Sequence, residues 1–186
     1  ALHRLLEPYR AHIVSGHLHT TANCEIGERL YEHNVAALSG AWWQGAICTD
    51  GTPAGYAVFE IDGDRVSWYY KSVGLPREVQ MKLYDGGDDP AFAGRIVVNV
   101  WNCDAAWRVE MRADGGEAVA MERTTAADPQ ARTLYADPSQ LVHKWITVVP
   151  SDHYYAAPLP AGTRHVEVTA RDRFGNVWRA EKKIEQ

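Results

Sequence analysis

The feature that most constrains this chain is a series of short strand-like segments, separated by turn residues, in its second half. Strands are predicted over 95–102, 107–112, 117–123, 144–149, 154–158, 164–171 and 177–184. Turn-forming stretches separate them, among them Asp-Gly-Gly at 114–116 and Phe-Gly-Asn at 174–176. Six or seven short strands in about 110 residues are typical of an antiparallel β-sandwich, in which two sheets pack face to face.

The first half of the chain predicts a helix, a strand and a hairpin, in that order. An apolar stripe over residues 1–10 predicts an amphipathic helix, and the apolar run 12–15 predicts a short strand. Asp62-Gly63 then predicts the tight turn of a β-hairpin with strands over 56–61 and 65–72. The first half is therefore predicted to combine helix and strand, whereas the second half is predicted to consist mainly of strands.

A boundary between two parts is predicted at Gly74-Leu75-Pro76, where glycine and proline interrupt the pattern. We predict one part over 1–74 and a second part, the β-sandwich, over 75–186. A helix is predicted within the second part over 76–83. The chain begins inside a helical pattern and without an initiator Met, which predicts a fragment or processed form of a longer protein.

Composition and charge exclude several classes of function. Apolar residues make up 46% and charged residues 23%, which is the usual mix of a soluble globular protein. The net charge is -5, and no stripe of Lys and Arg could follow a nucleic-acid backbone. No apolar run approaches the roughly 20 residues of a transmembrane segment. Cys24, Cys48 and Cys103 are odd in number and widely spaced, which indicates neither a disulfide framework nor a cysteine zinc site.

The strongest chemical motif is Gly16-His17-Leu18-His19, directly after the first predicted strand. Side chains alternate along an extended chain, so the two imidazoles are expected to point in different directions and to bind different cations. Neutral imidazole suits zinc, manganese and iron, and two such ions about 3.5–4 Å apart can clamp a phosphoryl group. The motif alone is weak, because chance produces it in about 3% of sequences of this composition.

Further segments in the same order are similar to one known family. They are Glu32 to Ala37, Gly40-Ala41-Trp42-Trp43, Asp50 to Tyr56, Trp68 to Ser72, Trp145 to His153 and Asp172 to Asn176. With the Gly-His-x-His motif and Asn23, they resemble calcineurin-like dinuclear metallophosphoesterases that carry an extra β-sandwich domain after the catalytic domain. The resemblance implies a mainly β fold: the C-terminal remnant of an α/β/β/α metallophosphoesterase domain followed by an antiparallel, Ig-like β-sandwich.

The same resemblance implies a site and an activity. His17 would bind one metal and His19 the other, in a centre of two divalent first-row ions (Mn, Zn or Fe) that hydrolyses phosphomonoesters or phosphodiesters. The family's other ligands precede this motif, so the chain alone is expected to bind metal weakly and to need the missing N-terminal catalytic portion as its partner. Asn23 and His33 could line the site. Alternatively, Asn23 is a turn residue and His33 a buried, hydrogen-bonded residue. The resemblance also implies an extracytoplasmic location.

Two other functions stay open at this point. The β-sandwich could be a binding module for a glycan, an envelope component or a partner, with Trp42-Trp43 and Tyr154-Tyr155 as contacts. It could instead be purely structural and seal one flank of the catalytic domain. Trp42-Trp43 could likewise form a platform for a sugar or nucleobase, or fill the seam between two layers. No ligand spacing links the remaining histidines of the second part, which are His143, His153 and His165.

Overall fold

A computed structural model describes residues 2–185 of the chain. Ala1, the first residue of the predicted N-terminal helix, lies outside the described residues, as does Gln186 at the end of the predicted sandwich part. The N-terminal helix α1 spans Leu2–Leu6 and buries none of its residues. It is therefore shorter than the apolar stripe over 1–10 predicted.

A three-stranded mixed sheet follows α1. Its strands are β1 (Ala11–Ser15), β2 (Ala22–Ile26) and β3 (Leu30–Asn34), in the order β1-β3-β2. β3 pairs in parallel with β1 and antiparallel with β2. The loop between β1 and β2 carries the Gly-His-Leu-His motif, so this sheet positions both candidate metal ligands.

The predicted hairpin is confirmed as β4 (Gly55–Asp62) and β5 (Arg65–Ser72). Asp62 pairs with Arg65 across the turn, and Gly63 takes a φ of 62°, a left-handed conformation that glycine adopts without steric cost. Trp68 and Tyr70 are both buried and lie on one face of β5, as the period of two requires.

Two four-stranded antiparallel sheets form the second part of the chain. The first sheet consists of β6 (Met81–Tyr84), β7 (Arg95–Val100), β10 (Glu122–Ala126) and β11 (Ser151–Pro158), in the order β10-β11-β7-β6. The second sheet consists of β8 (Arg108–Ala113), β9 (Val119–Ala120), β12 (His165–Arg171) and β13 (Val177–Lys183), in the order β13-β12-β8-β9. With β6 to β13 lettered A, B, C, C′, D, E, F and G, these orders become DEBA and GFCC′. This is the immunoglobulin arrangement, which confirms the Ig-like prediction.

The hydrophobic core of the sandwich lies between these two sheets. Alternate residues of β7, β8 and β12 supply half of its buried side chains, namely Ile96, Val98, Val100, Val109, Met111, Val166, Val168 and Ala170. Each is at most 3% exposed, whereas their neighbours on the outer face of β8 and β12 are charged or polar. Burying one such aliphatic side chain contributes roughly 1.5–3 kcal/mol, so this interior is the main stabilising element of the second part.

The helix predicted over 76–83 is wrong. After Pro76 the chain makes only a single turn, in which Val79 N donates to Pro76 O at 3.2 Å. Met81 and Leu83 then lie in the core of the sandwich as alternate residues of β6. Burial of two residues spaced by two positions decides the conformation here, because a helix would turn one of them to solvent.

The strand predicted over 144–149 is also wrong, although its alternation is real. Ile146 is 2% exposed, while Trp145 and Thr147 on either side of it are exposed. The segment packs against the loop before β4 rather than against a strand, and Val149 N donates to Thr49 O at 3.0 Å. Alternating burial therefore arises here without a β-ladder.

A helix that the sequence patterns did not predict lies between β10 and β11. This helix, α2, spans Pro129–Leu134, and Asp128 caps it by accepting from Ala131 N at 2.9 Å. An Asp-Pro pair at a helix start is a recognisable signal, because proline suits the first helical position and aspartate the N-cap. Two 3₁₀ turns, Pro90–Phe92 and Pro138–Gln140, begin in the same way.

The segment from α2 to β11 joins the two predicted parts of the chain. Its buried residues pack with Ala41 and Ile47 in one cluster, whose other members are Ala131, Tyr135, Leu141 and Ile146. Tyr135 OH also donates to Ile47 O at 2.6 Å. The division at residue 74 stays a prediction, and the contacts across it are extensive. Among residues 2–185 no helix has the length and apolar character needed to cross a membrane.

Candidate functional site

The loop between β1 and β2 holds both predicted metal ligands. His17 and His19 have φ values of 83° and 53°, in the left-handed region that non-glycine residues rarely adopt. They therefore lie in a strained loop and not on an extended strand, so the alternation argument for their directions does not apply. His17 is exposed and His19 is half-buried. Strain of this kind, of order 1–3 kcal/mol per residue, is typical of binding sites.

His19 is oriented by two contacts. Its Nδ1 lies 2.7 Å from Gly40 O, and because a carbonyl only accepts, Nδ1 carries the hydrogen. Its ring also stacks on Trp42, with ring centroids 3.9 Å apart and planes 8° apart. The Nε2 lone pair is left for another partner, which is how a metal-binding histidine is commonly held.

The donor chemistry of this loop suits a first-row cation, since neutral imidazole nitrogen is its usual ligand. Within residues 2–185, however, no group of three or more His, Cys, Asp or Glu side chains is arranged to hold a metal ion. Two imidazoles are fewer than the three or four protein ligands of a typical site. His17 and His19 thus fit as part of a ligand set, and their metal binding stays a prediction.

Asn23 and His33 are directly opposite each other in the β2–β3 ladder and are hydrogen-bonded together. His33 Nδ1 lies 2.7 Å from Asn23 Oδ1, and Asn23 Nδ2 donates to Asn102 O and Oδ1, both at 3.0 Å. The other ring nitrogen of His33 lies 2.9 Å from His12 Nδ1. The polar atoms of both side chains are therefore used within the chain, and a role in substrate binding stays a prediction.

The His12–His33 pair is held neutral by its surroundings. Because Asn23 Oδ1 accepts, His33 donates from Nδ1 and accepts at Nε2 from His12. Burial, with a smaller contribution from His12, lowers the pKa of His33 to about 4. Burial also lowers the pKa of His12, and the charges of Arg10 and Arg173 lower it further. The geometry of His33 is that of the second alternative given above, a buried and hydrogen-bonded residue.

A buried polar cluster joins the Asp50-Gly51-Thr52 turn to the sandwich. Asp50 is 0% exposed, and its carboxylate accepts from Thr21 N at 2.7 Å and from Thr52 N at 3.0 Å. Its carbonyl accepts from Tyr154 OH at 2.9 Å. His153 Nε2 lies 3.1 Å from Asp50 Oδ2. Sequence spacing did not link His153 to this turn, because the two are 103 residues apart.

The three side chains Ser151, His153 and Asp50 invite comparison with a hydrolase triad. The same ring nitrogen, His153 Nε2, lies 2.8 Å from Ser151 Oγ and 3.1 Å from Asp50 Oδ2. In a triad the acid holds one nitrogen and the nucleophile faces the other. His153 is also only 2% exposed, and its Nδ1 lies 2.8 Å from Asn99 Oδ1. This cluster is therefore a structural joint and not a nucleophilic site.

The aromatic residues that the sequence suggested as ligand contacts differ in how far they are exposed. Tyr154 and Tyr155 are 0% and 5% exposed, so the prediction that they contact a glycan or partner is wrong. Both face the interiors on either side of β11. Trp42 packs in the seam beside the α2 cluster, as one alternative predicted, whereas Trp43 is 83% exposed. Trp145 contacts Trp42 with centroids 4.5 Å apart, which sequence spacing gave no means to predict.

The chain thus combines an Ig-like β-sandwich with a small mixed sheet and a strained His-x-His loop, and its class is a β-rich protein with a candidate metal-binding loop. Residues 32–178 match the family described as the C terminal of calcineurin-like phosphoesterase. The match covers more than half of the chain, and the chain belongs to this family. Neither the search of curated proteins nor the search of solved structures found a match. The family match begins after His17 and His19, so it does not itself test the metal ligands.

Proposed function

We propose that this chain forms the C-terminal part of a metal-dependent phosphoesterase that hydrolyses phosphomonoesters or phosphodiesters. Family membership supports a phosphoesterase parent. The observation that carries the proposal to particular residues is the orientation of His19, whose Nδ1 donates to Gly40 O, so that the lone pair of a neutral ring is on Nε2 and can bind a cation. His17 and His19 would hold divalent first-row ions together with ligands from the rest of the catalytic domain.

The bound ions would supply a Lewis-acid clamp for the phosphoryl group and an activated water. The chain's own residues contribute orientation. Gly40 O holds the ring tautomer of His19, and Trp42 holds the plane of that ring. The turn at Asp50 then fixes the base of the loop, because its carboxylate binds the backbone of Thr21, two residues after His19. An extracytoplasmic location is also proposed, on the resemblance alone.

Metal analysis and hydrolysis assays on the whole protein that contains this chain test the proposal. We expect about two first-row ions per molecule, activity on a panel of phosphomonoesters and phosphodiesters, and loss of both in His17→Ala and His19→Ala. Each substitution should lower kcat at least about a hundredfold, as expected when a metal ligand is removed.

His165→Ala is the matched control, because His165 lies on β12, outside the loop of His17 and His19, and its Nε2 lies 3.3 Å from Glu181 Oε2. This variant should keep both metal and activity. A wild-type protein that holds no metal and hydrolyses none of the phosphomonoesters and phosphodiesters in the panel would contradict the proposal. Metal loss in His165→Ala as well would show that the readout follows folding and not ligation.

A further inference from the structure

A small cavity lies where the start of β1, the β4–β5 hairpin and the turn between β12 and β13 meet. Its volume is about 150 Å³, several times the roughly 30 Å³ that one water molecule occupies in the liquid. Its walls include Arg10, His12, Tyr31, Asp64, Trp68 and Arg173. We call it the Arg10–Arg173 cavity. No residue of the loop that carries His17 and His19 lines it, so it is distinct from the candidate metal site.

The aromatic walls of the cavity are held in a fixed geometry. His12 is opposite Tyr31 in the parallel β1–β3 pairing, and their rings stack with centroids 4.7 Å apart and planes 7° apart. Trp68 meets the His12 ring edge to face at 5.5 Å and is only 5% exposed. Because these rings belong to paired strands, the cavity is preformed, and a ligand that enters it loses little free energy to reorganisation of the protein.

Arg173 is held at the cavity by two rings and two carboxylates. Its guanidinium carbon lies 5.1 Å from the centre of the Tyr31 ring and 5.3 Å from that of Trp68. Its Nε donates to Asp104 Oδ2 at 2.6 Å, and its Nη2 pairs with Glu25. Neither carboxylate lines the cavity. Within residues 2–185 its Nη1 has no hydrogen-bond partner, so one side of the guanidinium fork is available to a ligand.

Arg10 supplies a second guanidinium group to the cavity. It is exposed, and its side chain forms no hydrogen bond or ion pair with the rest of residues 2–185. Burial lowers the pKa of His12, and the charges of Arg10 and Arg173 lower it further, so both charges act on this ring and the ring is neutral near pH 7. Asp64, at the exposed hairpin turn, is the one carboxylate in the lining. With two positive charges and one negative charge, the lining favours an anion over a cation.

The His12 ring adds a requirement that most anions do not meet. Its Nδ1 donates to His33 Nε2 at 2.9 Å, so the Nε2 of the neutral His12 ring carries a lone pair and can only accept. A fully deprotonated anion such as sulfate has nothing to donate to it. Hydrogen phosphate carries both a negative charge and a hydroxyl group. It therefore satisfies the guanidinium donors and the imidazole acceptor together.

We propose that the Arg10–Arg173 cavity binds hydrogen phosphate, whose oxygen atoms accept from Arg10 and Arg173 and whose hydroxyl group donates to His12 Nε2. Guanidinium groups match the oxygen atoms of a phosphate in charge and geometry. The cavity is smaller than the roughly 300–1,000 Å³ of pockets that hold drug-sized ligands, so it fits the small ion and not a nucleotide. This site does not depend on the proposed phosphoesterase activity.

Calorimetry on the chain with inorganic phosphate tests the proposal, at about pH 8 and with a chelator present so that no metal ion contributes. Phosphate should bind at least about fivefold more tightly than sulfate, because only phosphate can donate to the imidazole. Arg10→Gln removes one charged donor and should weaken phosphate binding by about tenfold or more. Arg65→Gln is the matched control, since Arg65 lies on the same hairpin, is exposed, pairs with Asp62 and does not line the cavity.

His12→Phe tests the hydroxyl contact separately. It keeps a ring that can stack on Tyr31 but removes Nε2, so the preference for phosphate over sulfate should disappear. Circular dichroism shows whether this variant folds, because it also removes the donor to His33. Arg10→Gln tests the site in either case, since the Arg10 side chain is exposed. Absence of phosphate binding in the wild type would overturn the proposal, and so would an equal weakening in Arg10→Gln and Arg65→Gln.

Methyl phosphate distinguishes the free ion from a phosphate ester. A phosphomonoester loses its second proton with a pKa of about 6, so at about pH 8 methyl phosphate has no hydroxyl group to donate. It should then bind as weakly as sulfate. Methyl phosphate that binds as tightly as inorganic phosphate at this pH, or more tightly, would overturn the proposed hydroxyl contact and make an ester the ligand.

Discussion

His33 is 1% exposed, and both of its ring nitrogens are hydrogen-bonded within the chain. Burial and the neighbouring His12 ring lower its pKa from the usual 6.5 to about 4. Between these two values the unfolded chain binds a proton at this position and the folded chain does not. A lowered histidine pKa therefore contributes stability that is present above pH 6.5 and is lost as the pH falls toward 4.

We expect this single residue to lower the free energy of unfolding by up to about 3 kcal/mol between pH 6.5 and pH 4. Urea denaturation over this range measures it, as the difference between the wild type and His33→Gln. The comparison with His33→Gln is needed because Asp104 changes the free energy of unfolding in the opposite direction as the pH falls. Burial raises the pKa of Asp104 to about 6, so the folded chain binds a proton there before the unfolded chain does.

His165→Gln serves as the control for this comparison, since His165 lies on β12 and is partly exposed. Its unfolding curves should follow those of the wild type at every pH. Parallel curves for the wild type and His33→Gln would contradict the prediction, because they would show that His33 takes up its proton equally in both states.

At the scale of an element, the turn at Gly51 is constrained much more than the turn at Gly63. Both glycines have positive φ, at 85° and 62°. A Cβ on Gly51 would lie 2.2 Å from the carboxyl carbon of Asp128, whereas a Cβ on Gly63 meets nothing within 4 Å. Asp128 is 0% exposed and accepts from Tyr84 OH at 2.7 Å, so it has no free space to move into.

Gly63→Ala should therefore cost only the left-handed conformation, roughly 1–2 kcal/mol of unfolding free energy. Gly51→Ala should cost at least about 3 kcal/mol more, because it also displaces a buried carboxylate from its hydrogen bonds. Chemical denaturation of the two variants measures this difference. Equal losses would mean that the Asp50 turn yields easily and that its buried cluster contributes little.

An element could be predicted from the sequence when its hydrogen-bonding and packing partners lie close to it in the chain. The β4–β5 hairpin has both strands and its turn within eighteen residues (55–72), so local pattern and turn chemistry suffice. The segment 144–149 has the alternation of a strand, but its backbone partner is the loop at Thr49, about a hundred residues earlier. The helix predicted over 76–83 failed because core burial of Met81 and Leu83 outweighed local preference.

The candidate site was even harder to predict from the sequence, because more of its contacts join residues that are far apart in the chain. His17 and His19 are two positions apart in sequence, so a motif reveals them, whereas the strain of their loop is visible only in the structure. Gly40 O binds the His19 ring from 21 residues away. Trp145, more than 100 residues away, contacts Trp42, which stacks on that ring. His153 carried no spacing signal, because its partner Asp50 comes from the other predicted part of the chain.

At the scale of the whole molecule, hydrogen bonds from buried groups cross the predicted boundary at residue 74 in several places. Tyr135 OH binds Ile47 O, and Tyr154 OH binds Asp50 O. Arg173 of the second part forms ion pairs with Asp104 and with Glu25 of the first part. We therefore expect residues 2–185 to unfold in one cooperative transition, although they contain a mixed sheet, a hairpin and a β-sandwich.

Tryptophan fluorescence and far-ultraviolet circular dichroism should give coincident urea curves. Tyr135→Phe removes one donor across the boundary, while Ile47 O keeps its hydrogen bond from Ala41 N at 3.0 Å. This variant should lower the unfolding free energy by about 0.5–1.5 kcal/mol and keep a single transition. Two separated transitions in the wild type would show that the predicted parts are independent domains and that these hydrogen bonds are weak.

The burial of Asp50 has a consequence for synthesis of the chain. Thr21 precedes it by 29 residues, but His153 and Tyr154 follow it by 103 and 104. At a translation rate of about 5–20 residues per second, the Asp50 turn waits roughly 5–20 seconds for these partners. Until the α2 segment has been made, the apolar side chains beside this turn, Ile47 and Trp42, have no cover from it. We therefore expect the nascent chain to be most exposed to aggregation and to chaperones before the α2 segment emerges.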